Sequence, residues 1–158
     1  MQRCFDLARK GAGFVSPNPM VGAVLVYQNR IIGEGFHQRY GEAHAEVNAV
    51  ASVKEEDRGL ISKSTLYVSL EPCCIYGKTP PCSQLILDFK IPKVVISALD
   101  QTPGVSGQSV DLLRNAGVEV VTNVLEEEGK ALAQIRNTFV SQKRPITWFL
   151  LRANFKMI

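Results

Sequence analysis

Apolar positions change period several times along this chain, and each change predicts an element. From Gln2 to Lys10, Cys4, Phe5, Leu7 and Ala8 recur at helical spacing, predicting a short amphipathic helix that Gly11 and Gly13 end. Ser16-Pro17-Asn18-Pro19 then forces an extended or turning path, because residues before proline avoid the helical region. Val21 to Tyr27 is a run of branched side chains that reads as a strand, Gln28-Asn29 as a tight turn, and Arg30 to Phe36 as its antiparallel partner. The glycines of Ile31-Ile32-Gly33-Glu34-Gly35 weaken that partner and mark an expected bulge near a bound group. A second helix is expected over Ala43 to Glu56, ended by Arg58-Gly59.

Beyond it the pattern alternates. Strands are predicted over Thr65 to Leu70, Lys93 to Leu99 and Val118 to Val121, and helices over Pro81 to Phe89 and Ser106 to Asn115. Pro81 suits a first helical turn, having no amide hydrogen to leave unpaired. Connections of crossover length make these three strands parallel, so with the antiparallel hairpin they form one mixed sheet with helices on both faces. Leu125 to Phe139 adds a last helix, and Ile146 to Leu151 is an apolar strand candidate after Lys143-Arg144-Pro145.

Composition narrows the class. A chain of 158 residues suits one domain with a buried core, and the hydrophobic fraction of 46% excludes disorder. With 18 basic and 15 acidic side chains, the net charge of +3 is too small and dispersed to announce a nucleic-acid protein, while leaving an anionic small molecule open. Cys4, Cys73, Cys74 and Cys82 could form two disulfides. The adjacent pair and a start without an apolar signal core favour reduced thiols and a cytoplasmic protein, and no stretch is apolar enough to span a bilayer.

Two clusters carry chemistry, His44-Ala45-Glu46 and Pro72-Cys73-Cys74 with Cys82 beyond. Both fall beyond strand ends and at helix starts, where alternating sheets bind ligands. Imidazole and thiolate suit zinc, and one histidine with two cysteines is a catalytic ligand set that keeps a position for water. A glutamate beside that position shuttles protons, and His-x-Glu followed by Pro-Cys and a further Cys is the mark of zinc deaminases. We therefore expect His44, Cys73 and Cys82 to bind zinc and Glu46 to move the proton, with helix N-termini beneath His44 and Cys73 favouring thiolate. Cys74 is expected to be a small buried residue outside the metal set.

Residues 2 to 139 resemble the pyrimidine deaminase domain of bacterial riboflavin biosynthesis, a diaminohydroxyphosphoribosylaminopyrimidine deaminase. The resemblance is carried by Pro17-Asn18-Pro19, Val21-Gly22-Ala23-Val24, Gly35-Phe36-His37, His44-Ala45-Glu46, Tyr67 to Cys73 and Gly77-Lys78-Thr79-Pro80-Pro81-Cys82. It implies a cytidine-deaminase-like, three-layer α/β/α sandwich and hydrolysis of the 2-amino group of 2,5-diamino-6-ribosylamino-4(3H)-pyrimidinone 5′-phosphate. It places Asn18 at the pyrimidine-recognition position and His37, Lys78, Thr79 and Asp100 in segments lining the substrate cleft. Lys78 suits the phosphate for its own reason, a flexible ammonium on a glycine loop. After the first cysteine the family usually has serine, histidine, any residue and glycine; here Cys74, Ile75, Tyr76 and Gly77 stand, a departure that bears on substrate affinity. Asp100-Gln101-Thr102-Pro103 in place of Asp-Pro-Asn-Pro is milder.

Rival readings are a nucleic-acid or nucleoside base deaminase and an inactive scaffold held by zinc. Nucleic-acid deaminases typically space their cysteines by two residues and need a basic face, whereas eight residues separate Cys73 from Cys82. A structural zinc site normally has four protein ligands and no use for Glu46. The expected organisation is a deaminase domain over 1–141 followed by a linker and apolar tail over 142–158, similar to the start of the reductase domain many relatives carry. No reduction is expected of so short a segment, and its apolar run favours a homodimer. The expected partner is a phosphorylated pyrimidine, with neither nucleic acid nor membrane.

Overall fold

The computed structural model describes residues 1–77, 80–101 and 106–142, with 135–142 described by backbone alone. Five strands form one sheet: β1 (Gly22–Tyr27), β2 (Arg30–Phe36), β3 (Thr65–Leu70), β4 (Lys93–Ala98) and β5 (Glu119–Val121), in the order β2-β1-β3-β4-β5. β1 is antiparallel to both β2 and β3, whereas β3, β4 and β5 are parallel, as expected from the alternation. The helices are α1 (Gln2–Arg9), α2 (Ala45–Ala51), α3 (Cys82–Asp88), α4 (Gln108–Asn115) and α5 (Glu126–Gln142).

Alternation along the strands divides the core between two faces. Ala23, Leu25, Leu66, Val68, Val94 and Ile96 pack with Ala45 and Ala49 of α2, Ile86 of α3 and Val110 and Leu113 of α4. On the other face Val24 meets Cys4 and Leu7 of α1, and Phe5 and Ala8 meet Leu132 of α5, while at the ends of β3 and β4 Leu70 and Ala98 meet Ala133 of α5. The result is the expected three-layer α/β/α sandwich.

The hairpin turn is tight because Gln28 and Asn29 both adopt positive φ, 47° and 63°, which matches the twist of the flanking strands. A bulge is present where Leu25 faces Gly33 and Val26 faces Ile31, leaving Ile32 as the extra residue. Its glycines face a neighbouring element. They receive a helix. A Cβ on Gly33 would strike the Ala49 carbonyl and the Val53 side chain, and one on Gly35 would strike the backbone of Ala45, Asn48 and Ala49. Bare glycine backbone thus lets α2, which carries the His44-Ala45-Glu46 cluster, lie directly on β2.

The second helix is shorter than its apolar pattern. α2 stops at Ala51, and Glu55–Lys63, including Arg58 and Gly59, is a 3-10 stretch. Ser52 Oγ donates to the Ala49 carbonyl at 2.8 Å and accepts from the Glu34 amide at 2.8 Å, so its side chain competes with the helical ladder where the helix ends. Arg30 then holds the 3-10 stretch by two bonds to Asp57, at 2.8 and 2.7 Å. Pro81 sits one place earlier than expected, as the N-cap of α3. Residues 146–151 lie outside the described residues.

Candidate metal centre

Three elements converge at one end of the sheet. His44 is the extended N-cap residue of α2, Cys73 follows β3 and Pro72, and Cys82 is the first residue of α3. His44 Nδ1 stands 3.5 Å from Cys73 Sγ and 3.4 Å from Cys82 Sγ, and the three donor atoms all lie within 4.8 Å of one another. Nitrogen and sulfur ligands at ordinary zinc bond lengths on a tetrahedron stand about 3.6 Å apart, so both the donor types and their spacing fit zinc. The Cys82 amide donates to Cys73 Sγ at 3.3 Å, and the Ser83 amide donates to the Cys73 carbonyl at 3.0 Å. The start of α3 therefore grips the first cysteine, as expected of a helix N-terminus beside a thiolate.

The protein's own groups already favour one thiolate. A hydrogen bond from the Cys82 thiol, assisted by His44 and the Cys82 amide, pulls the Cys73 thiol down to about 4. That same bond, together with burial, pushes Cys82 up. Glu46 is 3% exposed and its carboxyl is in hydrogen-bond contact with Cys82. Burial first, then the negative charge on Cys73, raises the Glu46 carboxyl above the usual carboxylate range.

The cleft beside these groups has a volume of about 120 Å³ and is lined by Asn18, His37, His44, Glu46, Cys73 and Asp100 among others. His37 Nδ1 lies 3.0 Å from the Ala43 carbonyl, which only accepts, so Nδ1 carries the hydrogen. Nε2 is then an acceptor, and Asn18 Nδ2, 3.0 Å away, must donate to it. The tautomer thereby fixes the Asn18 amide and reserves Oδ1 as an acceptor for something else. Burial lowers the His37 pKa, which keeps the ring neutral for this role. Asn48 Nδ2 adds bonds to the Phe36 carbonyl at 2.8 Å and the Ala43 carbonyl at 3.3 Å, tying the end of β2 to the turn before His44.

A second cavity of about 220 Å³ shares Asn18, His44 and Cys73 and adds Tyr40, Glu42 and Ile75. Here Ile75 is 56% exposed. Cys74 is outside the donor cluster, as expected, but it is half-buried rather than buried, because it sits in the open loop after β3 with Sγ 3.9 Å from Gln108 Oε1. Lys78 and Thr79 lie outside the described residues.

Two residues escaped the sequence reading. Asn48 interrupts the apolar stretch Val47-Asn48-Ala49-Val50, and that interruption was its signal. Glu71 accepts from the amides of Asp100, Gly107 and Ser109 and from the Ser109 hydroxyl, with only its place at a strand end to hint at this.

Residues 1–98 match the family model of the cytidine and deoxycytidylate deaminase zinc-binding region. The riboflavin biosynthesis protein RibD of Actinobacillus pleuropneumoniae is 46% identical over 145 residues, covering 92% of this chain and 38% of that protein. A diaminohydroxyphosphoribosylamino-pyrimidine deaminase of Buchnera aphidicola is 44% identical over 130 residues, covering 82% of this chain and 86% of that protein. Among solved structures, a diaminohydroxyphosphoribosylaminopyrimidine deaminase/5-amino-6-(5-phosphoribosylamino)uracil reductase of Thermotoga maritima superposes with a TM-score of 0.85 at 50% identity, covering 92% of this chain and 41% of that one. The chain thus spans about two fifths of the length of the RibD proteins it matches. Among the described residues no helix is long and apolar enough to cross a membrane. With a zinc-binding family model over most of its length and the fitting donor set inside it, the chain belongs to the zinc-dependent cytidine and deoxycytidylate deaminase family, and within it to the diaminohydroxyphosphoribosylaminopyrimidine deaminases.

Proposed function

We propose that this chain hydrolyses the 2-amino group of 2,5-diamino-6-ribosylamino-4(3H)-pyrimidinone 5′-phosphate, releasing ammonia and leaving the corresponding uracil. The observation that carries this reading is the His44, Cys73 and Cys82 cluster with Glu46 buried against it, at the floor of a cleft lined by Asn18 and Asp100. His44, Cys73 and Cys82 would hold zinc. When bound, the metal supplies a Lewis acid that makes water a competent nucleophile near neutral pH.

The chain's own residues do the rest. Glu46 accepts a proton from the attacking water on a carboxylate oxygen and delivers it to the pyrimidine ring nitrogen, then carries the second proton, from the hydroxyl on the new tetrahedral carbon, to the departing amine. One carbon–nitrogen bond is exchanged for a carbonyl, and ammonia leaves. Burial suits Glu46 to this work, since a carboxyl in a dry pocket holds a proton more readily than one in water. Asn18, its amide oriented by His37, offers Oδ1 to a ring N–H. His37 and Asp100 line the cleft. Lys78 would bind the phosphate arm as a point charge, with Thr79 beside it as a further substrate contact.

The reading extends to a cytoplasmic homodimer. Free cysteines such as these four persist in a reducing compartment, and the apolar run at 146–151 is costly to leave in water. Light scattering on the full chain, and on one ended after Ser141, tests the dimer and the part the tail plays in it. For the activity, ammonia release should be measured from the phosphorylated diaminopyrimidine, with cytidine and adenosine-containing RNA as comparisons. Release from the diaminopyrimidine alone is expected. Faster release from cytidine or RNA would move the chain to another deaminase class.

A further inference from the structure

Glu71 is 5% exposed, yet the mechanism above gives it nothing to do. Its amide donates to the Ala98 carbonyl at 2.9 Å, joining the ends of β3 and β4. Its carboxylate then reaches across both. Oε2 accepts from the Asp100 amide at 3.1 Å and the Gly107 amide at 3.0 Å. Oε1 accepts from the Ser109 amide at 3.2 Å and the Ser109 hydroxyl at 2.9 Å. One buried charge is thus met by three main-chain N–H groups and a hydroxyl, two of those N–H groups at the positive end of α4.

Both oxygens hold the start of α4, but only Oε2 also reaches the cleft wall. Oε1 fastens the first turn of α4, a purely architectural bond. Oε2 fastens the backbone of Asp100, which lines the cleft, as does Glu71 itself. Glu71 also lies two residues before Cys73, so one side chain sets the cleft's Asp100 wall relative to the strand end that leads into the metal cluster. We propose that Glu71 is a positioning residue, acting through Asp100 to hold the substrate-binding wall at a fixed distance from the reacting centre. The inference rests on the deaminase reading above.

Side-chain chemistry makes the test graded. In Glu71→Ala three amides lose their acceptor. In Glu71→Gln the amide can turn Nε2 toward Ser109, whose hydroxyl can accept, and keep Oε1 on the Asp100 and Gly107 amides. Glu71→Asp, shorter by one methylene, cannot span both groups. These variants and Asp100→Ala are made in the full 158-residue chain. Zinc content, thermal midpoint, kcat and KM for the phosphorylated diaminopyrimidine are then measured.

Zinc should be retained throughout. Asp100→Ala, Glu71→Ala and Glu71→Asp should raise KM by at least about tenfold with kcat within about threefold, the signature of lost binding rather than lost chemistry. Glu71→Gln should return KM to within about threefold of the parent while its thermal midpoint still falls, because the Ser109 amide has lost its partner. A helix-capping role alone would move the thermal midpoint and leave KM untouched. A parental KM in zinc-loaded Glu71→Ala or Glu71→Asp, beside a raised KM in Asp100→Ala, overturns the inference alone. So does a Glu71→Gln KM as high as that of Glu71→Ala. A parental KM in Asp100→Ala overturns the assignment of Asp100 to substrate, and the inference with it.

Discussion

The inner end of the cleft and its outer rim are built on different principles. At the inner end the polar groups are buried or half-buried and held largely by main-chain partners: Glu71 by three amides, His37 by the Ala43 carbonyl, Cys73 by the Cys82 amide. Main-chain groups cannot rotate away, so the fold itself fixes where these three side chains stand. At the rim, Tyr40 and Ile75 are 53% and 56% exposed. Ile75, which replaces the family's usual histidine, falls on the rim and leaves the donor cluster intact.

The largest break in that division should come from the metal donors. Cys73→Ser and Cys82→Ser should each lose most of the zinc and, with it, measurable ammonia release, because a hydroxyl is a poor substitute for thiolate at zinc. Cys74→Ser should keep both. Elemental analysis of the three variants decides the matter, and zinc lost only from the Cys74 variant would contradict the assignment.

Next in size is a change that never touches the site. Gly35→Ala sets a methyl against the backbone of Ala45, Asn48 and Ala49 under α2. It should cost about 1–3 kcal/mol of stability, the usual scale of overpacking, and lower zinc affinity because His44 caps that helix. Thermal unfolding with and without a zinc chelator reads both effects. The rim should be gentler. Ile75→His should leave zinc content and kcat unchanged and alter KM for the phosphorylated substrate by only a few-fold; a large fall in kcat would mean that the rim takes part in the chemistry.

The smallest effect is expected far from the cleft. Arg30 holds the Asp57 carboxyl below the usual carboxylate range. A depressed folded-state pKa stabilises the fold above the unfolded value of about 4 and loses that contribution as pH falls through the folded value. Arg30 is 56% exposed, so solvent screening keeps the gain small. Asp57→Asn should thus be slightly less stable than the parent at neutral pH, with the gap closing in acid. A gap independent of pH would assign the effect to packing.

The donor set was legible in the sequence because zinc restricts both residue type and order, and the strands because Val21 to Tyr27, Thr65 to Leu70 and Lys93 to Leu99 are branched and apolar. Where the outcome depended on partners distant in the chain, the pattern was silent or misleading. The apolar period carries α2 past Ala51, but the bond from Glu34 to Ser52, 18 residues apart, ends it. Glu71 is bonded to residues up to 38 positions away. The glycines of β2 announced a close approach, but only the packing of α2 showed that a helix makes it.

In the proposed reaction Glu46 moves the proton in a site whose metal is held without it. Glu46→Gln keeps the size of the side chain and removes the base. Zinc content and ammonia release from the phosphorylated diaminopyrimidine should be measured on the same preparation. Zinc should stay at the parental level while turnover falls by at least about a hundredfold, the usual scale of general acid–base help. A zinc-loaded Glu46→Gln enzyme that releases ammonia at the parental rate would contradict the account.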